Sequence, residues 1–467
     1  MSIDASRART AHGSSALWLL WLGYAAFVIY GSLVPLDFRP RSLAAAWADF
    51  QRLPMLDLGV VERADWVANG VLYLPLAFLT ATVLGAGHPR ARRAFCIAGA
   101  LVFSMVVAIS VEFAQLFFPP RTVSINDILA EGIGTIVGTK LAVFFARHLR
   151  GLVDSLARPG PGLVPGLLIA YALLYLAFCG FPYDFVVSSG ELREKLSSGA
   201  WGWLIAPGSG RGPLMGLLLL VAETVAAVPL GLLLGHWRQA ATVGRLLLTG
   251  FAGGLALGLL IEVGQIFIYT AVSQGASALT RAIGIAAGAA ISRSAWGLAD
   301  AARVIRRHIV PLAVLYLLAL AGVHGWFAGP WGGIDQAVRR LHAVHFLPFY
   351  YHYFTTETVA LRSLVSVCFL YAPIGIMAWA VRGRAVAAGV VAALAAAIVE
   401  TVKLFHGDGH PDPTNVLLAA VAAWAIVRLL GRLTGGVAGE FSAGAPRPVA
   451  RTRRGPGQGN PAGQSDG

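Results

Sequence analysis

The sequence predicts an all-α polytopic membrane protein of about twelve transmembrane helices, on three observations. Charged residues make up only 13% of the chain and hydrophobic ones 57%, where a soluble domain carries about 25% charged residues. Apolar runs of spanning length recur from one end to the other, and basic residues gather in alternate loops. Mean hydropathy is +0.69, and no stretch has the strand alternation of an outer-membrane barrel.

A spanning helix needs about 20 mostly apolar residues. Twelve runs qualify, near 16–35, 66–86, 94–118, 127–147, 162–182, 213–236, 246–270, 277–292, 309–329, 361–381, 386–406 and 414–432, the eighth being the shortest. The polar N-terminus carries Arg7 and Arg9 before the run Leu17–Val34, like the n-region of a signal peptide. No small-residue cleavage site follows, so this run reads as a retained first span. The tail 436–467 is rich in Gly, Pro, Arg and Ser and reads as a disordered cytoplasmic extension.

The loops set the orientation. Placing both termini and every even-to-odd connection on one side collects 22 of the 36 basic residues there, against five acids. The opposite side is close to neutral. Positive charge stays cytoplasmic during insertion, so both termini are expected in the cytoplasm of a cell inner (plasma) membrane. The formal charge of +13 is then topological, and nucleic acid is not an expected partner. Cys96, Cys179 and Cys368 share no motif spacing and read as small buried hydrophobes. The histidines form no metal-ligand array, and neither a cofactor nor a metal is implied.

The chain also repeats itself. Val111-Glu112-Phe113-Ala114-Gln115-Leu116-Phe117 returns 150 residues later as Ile261-Glu262-Val263-Gly264-Gln265-Ile266-Phe267, and more loosely as Val399-Glu400-Thr401-Val402-Lys403-Leu404-Phe405. Gly134 and Gly138 fall on Gly284 and Gly288. Pro35-Leu36-Asp37-Phe38 matches Pro182-Tyr183-Asp184-Phe185 and, loosely, Pro348-Phe349-Tyr350-Tyr351. A mid-helix proline recurs at Pro75, Pro229 and Pro373. Three four-helix units are therefore expected, over 1–150, 151–300 and 301–435, each with a long outer loop after its first helix.

The first unit resembles the VanZ-like family. The residues that carry the resemblance are Tyr30 to Phe38, Asn69-Gly70-Val71-Leu72-Tyr73-Leu74-Pro75, Glu112 to Phe117, Arg121 to Leu129 and the Gly-rich helix Gly132–Gly138. The later units depart from the pattern: Asp127 becomes Ser277 and Asn415, Gln115 becomes Lys403, and Arg121 becomes Ala271. The resemblance implies a membrane protein whose namesake is linked to teicoplanin resistance, with any polar function concentrated in the first unit.

An intramembrane carboxylate is costly unless it faces protein or water. Glu112 lies roughly 9 Å before the outer end of its predicted helix, and Gln115 shares its face. Arg121 follows in the turn, and Asp127 opens the next helix near its electropositive end. Two readings stay open. In one, Glu112 and Gln115 bond Asp127, Arg121 or free amides and fix the hairpin. In the other they line an outward pocket with Asp37 and Asn69 that binds a polar headgroup or a proton. Glu262, Gln265, Glu400 and Asn415 are the corresponding candidates in the later units. Glu223 reads as an interhelical hydrogen bond or a second polar pocket, and Asp412 or Thr414 as a helix cap.

The leading expectation is a non-enzymatic protein that meets membrane lipids and binds a lipid-linked or glycopeptide-like ligand on its outer face. A transporter is the alternative, although a period of four spans differs from two six-helix halves. A membrane enzyme with Glu112 or Asp127 as general base is the third. No nucleophile–base pair, metal triad or phosphate loop is legible, and no catalytic residue is assigned.

Overall fold

A computed structural model describes residues 2–85, 88–157, 162–207, 213–294, 297–327, 330–406 and 410–443. The chain folds as α1 (Ser2–Leu33), α2 (Leu43–Phe50), α3 (Val60–Leu84), α4 (Arg90–Gln115) and α5 (Ile125–Ala157), then α6 (Leu163–Cys179), α7 (Ser189–Ser197), α8 (Pro213–Trp237), α9 (Val243–Ile266) and α10 (Gly275–Ile291). The last part holds α11 (Leu298–Arg307), α12 (Ile309–Val323), α13 (Ile334–His342), α14 (Tyr350–Tyr353), α15 (Glu357–Ala380), α16 (Ala385–Phe405) and α17 (Pro413–Ala443). Two dipeptide strands, β1 (Trp201–Gly202) and β2 (Ser273–Gln274), pair in parallel. Helix α17 runs into the expected tail, whose residues 444–467 lie outside the described part, as does Arg158 among the loop charges.

This is an all-α polytopic membrane protein. Among the described residues nine helices are long and apolar enough to cross a membrane, and less than half of each spanning window is buried within the protein. Large apolar side chains such as Leu19, Leu174, Leu260 and Phe369 stand exposed around the outside, a surface that suits hydrocarbon and not water. Two of the twelve expected spans are shorter, α6 and α10, at 17 residues each, or roughly 26 Å of helix. The ninth also differs from expectation. Helix α12 has only 15 residues and meets α11 at a bend of 81°. Arg303, Arg306 and Arg307 crowd α11, and a helix so charged does not suit hydrocarbon; the chain turns at His308, where the arginines end.

The helices pack through small residues. A Cβ on Gly134 of α5 would lie 2.0 Å from the Gly70 carbonyl oxygen of α3, and one on Gly138 2.2 Å from that of Leu74. Helix α10 approaches α8 the same way, with Gly284 against Thr224 (2.2 Å) and Gly288 against Val228 (2.0 Å). Only a hydrogen fits there, the geometry that small-xxx-small spacing permits. Between α15 and α17 the small residue has changed sides, and Gly375 of α15 faces the Ala423 carbonyl.

The long loops are tied down alike. The residue after each motif proline, Leu36, Tyr183 or Phe349, takes a left-handed φ of 60°, 70° or 62°, a conformation bulky residues rarely adopt. A loop amide also bonds a carbonyl at or just past the end of the neighbouring helix: Arg39 to Phe117 (2.8 Å), Val186 to Phe267 (2.9 Å) and Gly332 to Phe405 (2.6 Å). A basic loop side chain caps the same helix end, whose free carbonyls carry partial negative charge. Arg41 donates to the Leu116 carbonyl (3.3 Å) and Arg340 to that of Lys403 (2.8 Å). Lys195 donates to the carbonyls of Gln265 (2.8 Å), Ile268 and Ala271 (2.9 Å). Burial pulls its ammonium down to about 8, against the opposing pull of Asp184.

Candidate functional site

Helices α3, α4 and α5 bring the sequence-selected residues of the first segment to one end of their bundle. Helix α4 stops at Gln115, because Pro119 and Pro120 follow and cannot continue it. Glu112 therefore sits in the last turn and not six residues deep. It is 2% exposed, and its Oε2 has no hydrogen-bond partner among the described residues. Gln115 donates through Nε2 to the Ser32 carbonyl (2.8 Å), while its Oε1 is buried and unpartnered. Arg121 clamps the end of α1, donating from Nε to Val34 (2.7 Å) and from Nη2 to Gly31 (2.5 Å). Asn69 donates to Asp127 Oδ1 (2.8 Å), and Ser124 fills Oδ2 (2.6 Å). Asn126 pins the loop through both its amide groups to Leu56.

Asp37 does not join this group. It is exposed and pairs with Arg39 at 3.4 Å, so the pocket wall expected of it is absent. A residue the sequence reading passed over takes part instead. Glu131, one helical turn beyond Asp127 on α5, is 3% exposed with Oε2 unpartnered. It lies within electrostatic reach of Glu112, Asp127 and Tyr73. The Tyr73 hydroxyl of α3 is wholly buried and faces the Glu131 carboxylate, with no partner inside normal hydrogen-bond distance. The rule that flagged Glu112 flags Glu131 equally, since both are carboxylates inside apolar runs. Gln115 and Arg121 also line an open cleft of about 430 Å³ with Arg41, Asp49, Arg52 and Pro54. Gln115, which lines the cleft, is three residues from Glu112 on α4.

The corresponding glutamates of the later segments are saturated. Glu262 of α9 forms a buried ion pair with Arg281 and accepts from the Gln274 amide (2.5 Å). Arg281 also donates to the Tyr175 hydroxyl (3.2 Å). Gln265 reaches the Cys179 carbonyl at 3.4 Å. Glu400 of α16 pairs with Lys403 (2.7 Å) and accepts from the Asp412 amide (2.8 Å) and from Asn415 Nδ2 (2.9 Å). The amide donors, residues 274 and 412, both correspond to Ser124, which in the first segment turns its hydroxyl to Asp127. The contacts that the hairpin-fixing reading calls for are present at Glu262 and Glu400, and among the described residues none is made by Glu112 Oε2.

Residues 14–146 match the VanZ/LLP1 family. The match runs from residue 14, within α1, to residue 146, within α5, and takes in Asp37, Asn69, Glu112, Gln115, Arg121, Asp127 and Glu131. It leaves Glu262, Gln265, Glu400 and Asn415 outside. No curated protein and no solved structure matches the chain.

The remaining candidates make bonds within the protein. Glu223 of α8 accepts from Thr280 of α10 (3.1 Å), an interhelical bond. Asp412 caps α17 through the Thr414 amide (2.9 Å). The three cysteines are free; Cys368 is exposed and the other two half-buried, so none is the fully buried hydrophobe expected. No cluster of three or more His, Cys, Asp or Glu suited to a metal occurs among the described residues.

Proposed function

We propose that the protein is a VanZ-like integral membrane protein of three tandem four-helix units whose first unit binds a polar envelope ligand, a lipid headgroup or a glycopeptide-type molecule, without catalysing its conversion. The reading rests on the contrast among Glu112, Glu262 and Glu400. Two of these carboxylates have every role filled by their own unit, whereas Glu112 keeps a buried oxygen unpartnered beside a cleft rimmed by Arg41, Arg52 and Arg121. Buried polar atoms without partners are rare in native proteins, and a group of them beside an open cleft is what a binding site presents.

The tandem arrangement is supported by shared geometry at corresponding positions. The left-handed residues after the three prolines, the carbonyls of Phe117, Phe267 and Phe405, and the Ser32 and Cys179 carbonyls met by Gln115 and Gln265 all recur. The excess of basic residues in alternate loops supports a reading with both termini in the cytoplasm of the inner membrane, in which the cleft opens on the outer side.

Glu112→Gln tests the binding reading. Lipid co-purifying with the protein is identified by mass spectrometry, and the glycopeptide sensitivity of expressing cells is measured alongside. A changed lipid complement or sensitivity is expected. Unchanged values for a normally inserted protein would falsify the reading.

A further inference from the structure

The later segments show what a buried glutamate at this position requires. Glu262 and Glu400 each carry a cationic side chain in direct contact, Arg281 or Lys403. At an offset of 150, Arg281 corresponds to Glu131. The first segment therefore places a second carboxylate where the second places a guanidinium, and at the position of Lys403 it has the neutral Gln115. Among the described residues the cation acting on Glu112 is Arg121, whose Nε and Nη2 go to carbonyls at the end of α1 while the Tyr353 ring lies 4.4 Å from its guanidinium carbon.

Among the buried oxygens without a partner inside normal hydrogen-bond distance are three on three different helices: Tyr73 Oη of α3, which faces Glu131, Glu112 Oε2 of α4 and Glu131 Oε2 of α5, on residues 0%, 2% and 3% exposed. An ammonium group brings three N–H donors, no acceptor and a positive charge. It matches these oxygens, two on carboxylates and one on a hydroxyl whose lone pair accepts while its O–H faces Glu131, and charge-assisted bonds of this kind are the strong ones. A metal ion fits less well, since no metal-suited cluster occurs among the described residues.

We propose that the first segment binds a cationic nitrogen group, a primary ammonium or a guanidinium, between Glu112 and Glu131, at the place its second-segment counterpart fills with Arg281. The assignment rests on the binding reading above and specifies its ligand chemistry. The group enters from the cleft beside Gln115 and Arg121, so an amine carried on a headgroup or on a free ligand suits the site alike.

The test follows the thermal unfolding midpoint of the purified full-length protein in detergent during titration with ethylammonium chloride. Tetraethylammonium chloride, which has no N–H, and sodium chloride at matched ionic strength serve as controls. Ethylammonium is expected to raise the midpoint and the controls are not. Glu131→Arg installs the second segment's own cation, so it is expected to fold at least as stably as the native protein and to lose the response. Should Glu131→Arg fail to fold, Glu131→Gln is expected to weaken the response about tenfold or more, the loss of one charge-assisted bond.

Equal shifts from all three salts, or a full ethylammonium response in the variant that folds, overturn the proposal. Lipid that depends on Glu112 without any ammonium response removes the amine assignment and leaves the binding reading standing. Lipid and glycopeptide responses indifferent to Glu112→Gln remove the binding reading itself.

Discussion

Glu112, Glu262 and Glu400 stand in matching stretches of sequence, yet among the described residues the last two are paired with a cation and the first is not, and the difference is measurable as stability. Removing one member of a buried ion pair strands the other charge, at a cost of roughly 3–5 kcal/mol. Glu262→Gln leaves the Arg281 guanidinium buried without its carboxylate and deprives the Gln274 amide of a charged acceptor. It should lower the unfolding midpoint sharply. Glu112→Gln breaks no ion pair, because Glu112 forms none among the described residues, and should leave the midpoint nearly unchanged. Thermal unfolding of the two variants side by side checks this; equal losses would mean that both glutamates are structural. These roles were only partly legible in the sequence. The glutamates themselves announce their positions, because carboxylates are rare inside apolar runs. Which atom satisfies each depends on the partner helix, and Arg281 is 19 residues from Glu262. Spacing along one helix says nothing about a register across two. Asp37 illustrates the same limit: it shares a motif with the buried Asp184, yet the loop turns it outward to Arg39.

At the scale of elements, hydropathy did better, since a long helix in hydrocarbon must be apolar nearly throughout. The nine long spans fall where apolar runs stand, and the two 17-residue helices fall in the fifth and eighth runs. The bend at His308 was hidden, because a window centred on 309–329 does not register the arginines just before it. Glycine spacing also carried real packing information. Gly134→Ala would put a methyl group 2.0 Å from the Gly70 carbonyl oxygen, and neither backbone can yield without parting α3 from α5. Overpacking of this kind costs about 1–3 kcal/mol or more. Gly99→Ala in α4 is the matched control, because a Cβ there meets nothing within 4 Å. The first variant should unfold at lower temperature and the second should not. Equal behaviour would show that the close approach is not what holds the pair.

Across the whole molecule, the first segment touches both of the others. Tyr353 of the third segment packs on Arg121 and bonds the Pro120 carbonyl, and the Pro348 carbonyl accepts from Tyr30 (2.7 Å). On the other side Arg63 of α3 makes a two-pronged ion pair with Glu191 of α7, at 2.8 and 3.2 Å, and reaches the Phe185 carbonyl (3.2 Å). Arginine suits this task because its rigid fork matches a carboxylate. The Arg63 guanidinium, followed by the Val187 amide, holds the Glu191 carboxyl below the usual carboxylate range. A depressed carboxylate contributes stability that is fully present above its unfolded pKa, about 4.3 for glutamate, and is lost as the pH falls through its lower folded value. The native protein should therefore outlast Arg63→Ala by a margin that is constant at neutral pH. That margin should shrink on acidification below about 4, where Glu191 takes up a proton and the pair dissolves. Unfolding midpoints of both proteins across that range test it. A margin that does not change with pH would assign the link to the Phe185 carbonyl and to packing, and leave the ion pair no part in joining the two segments.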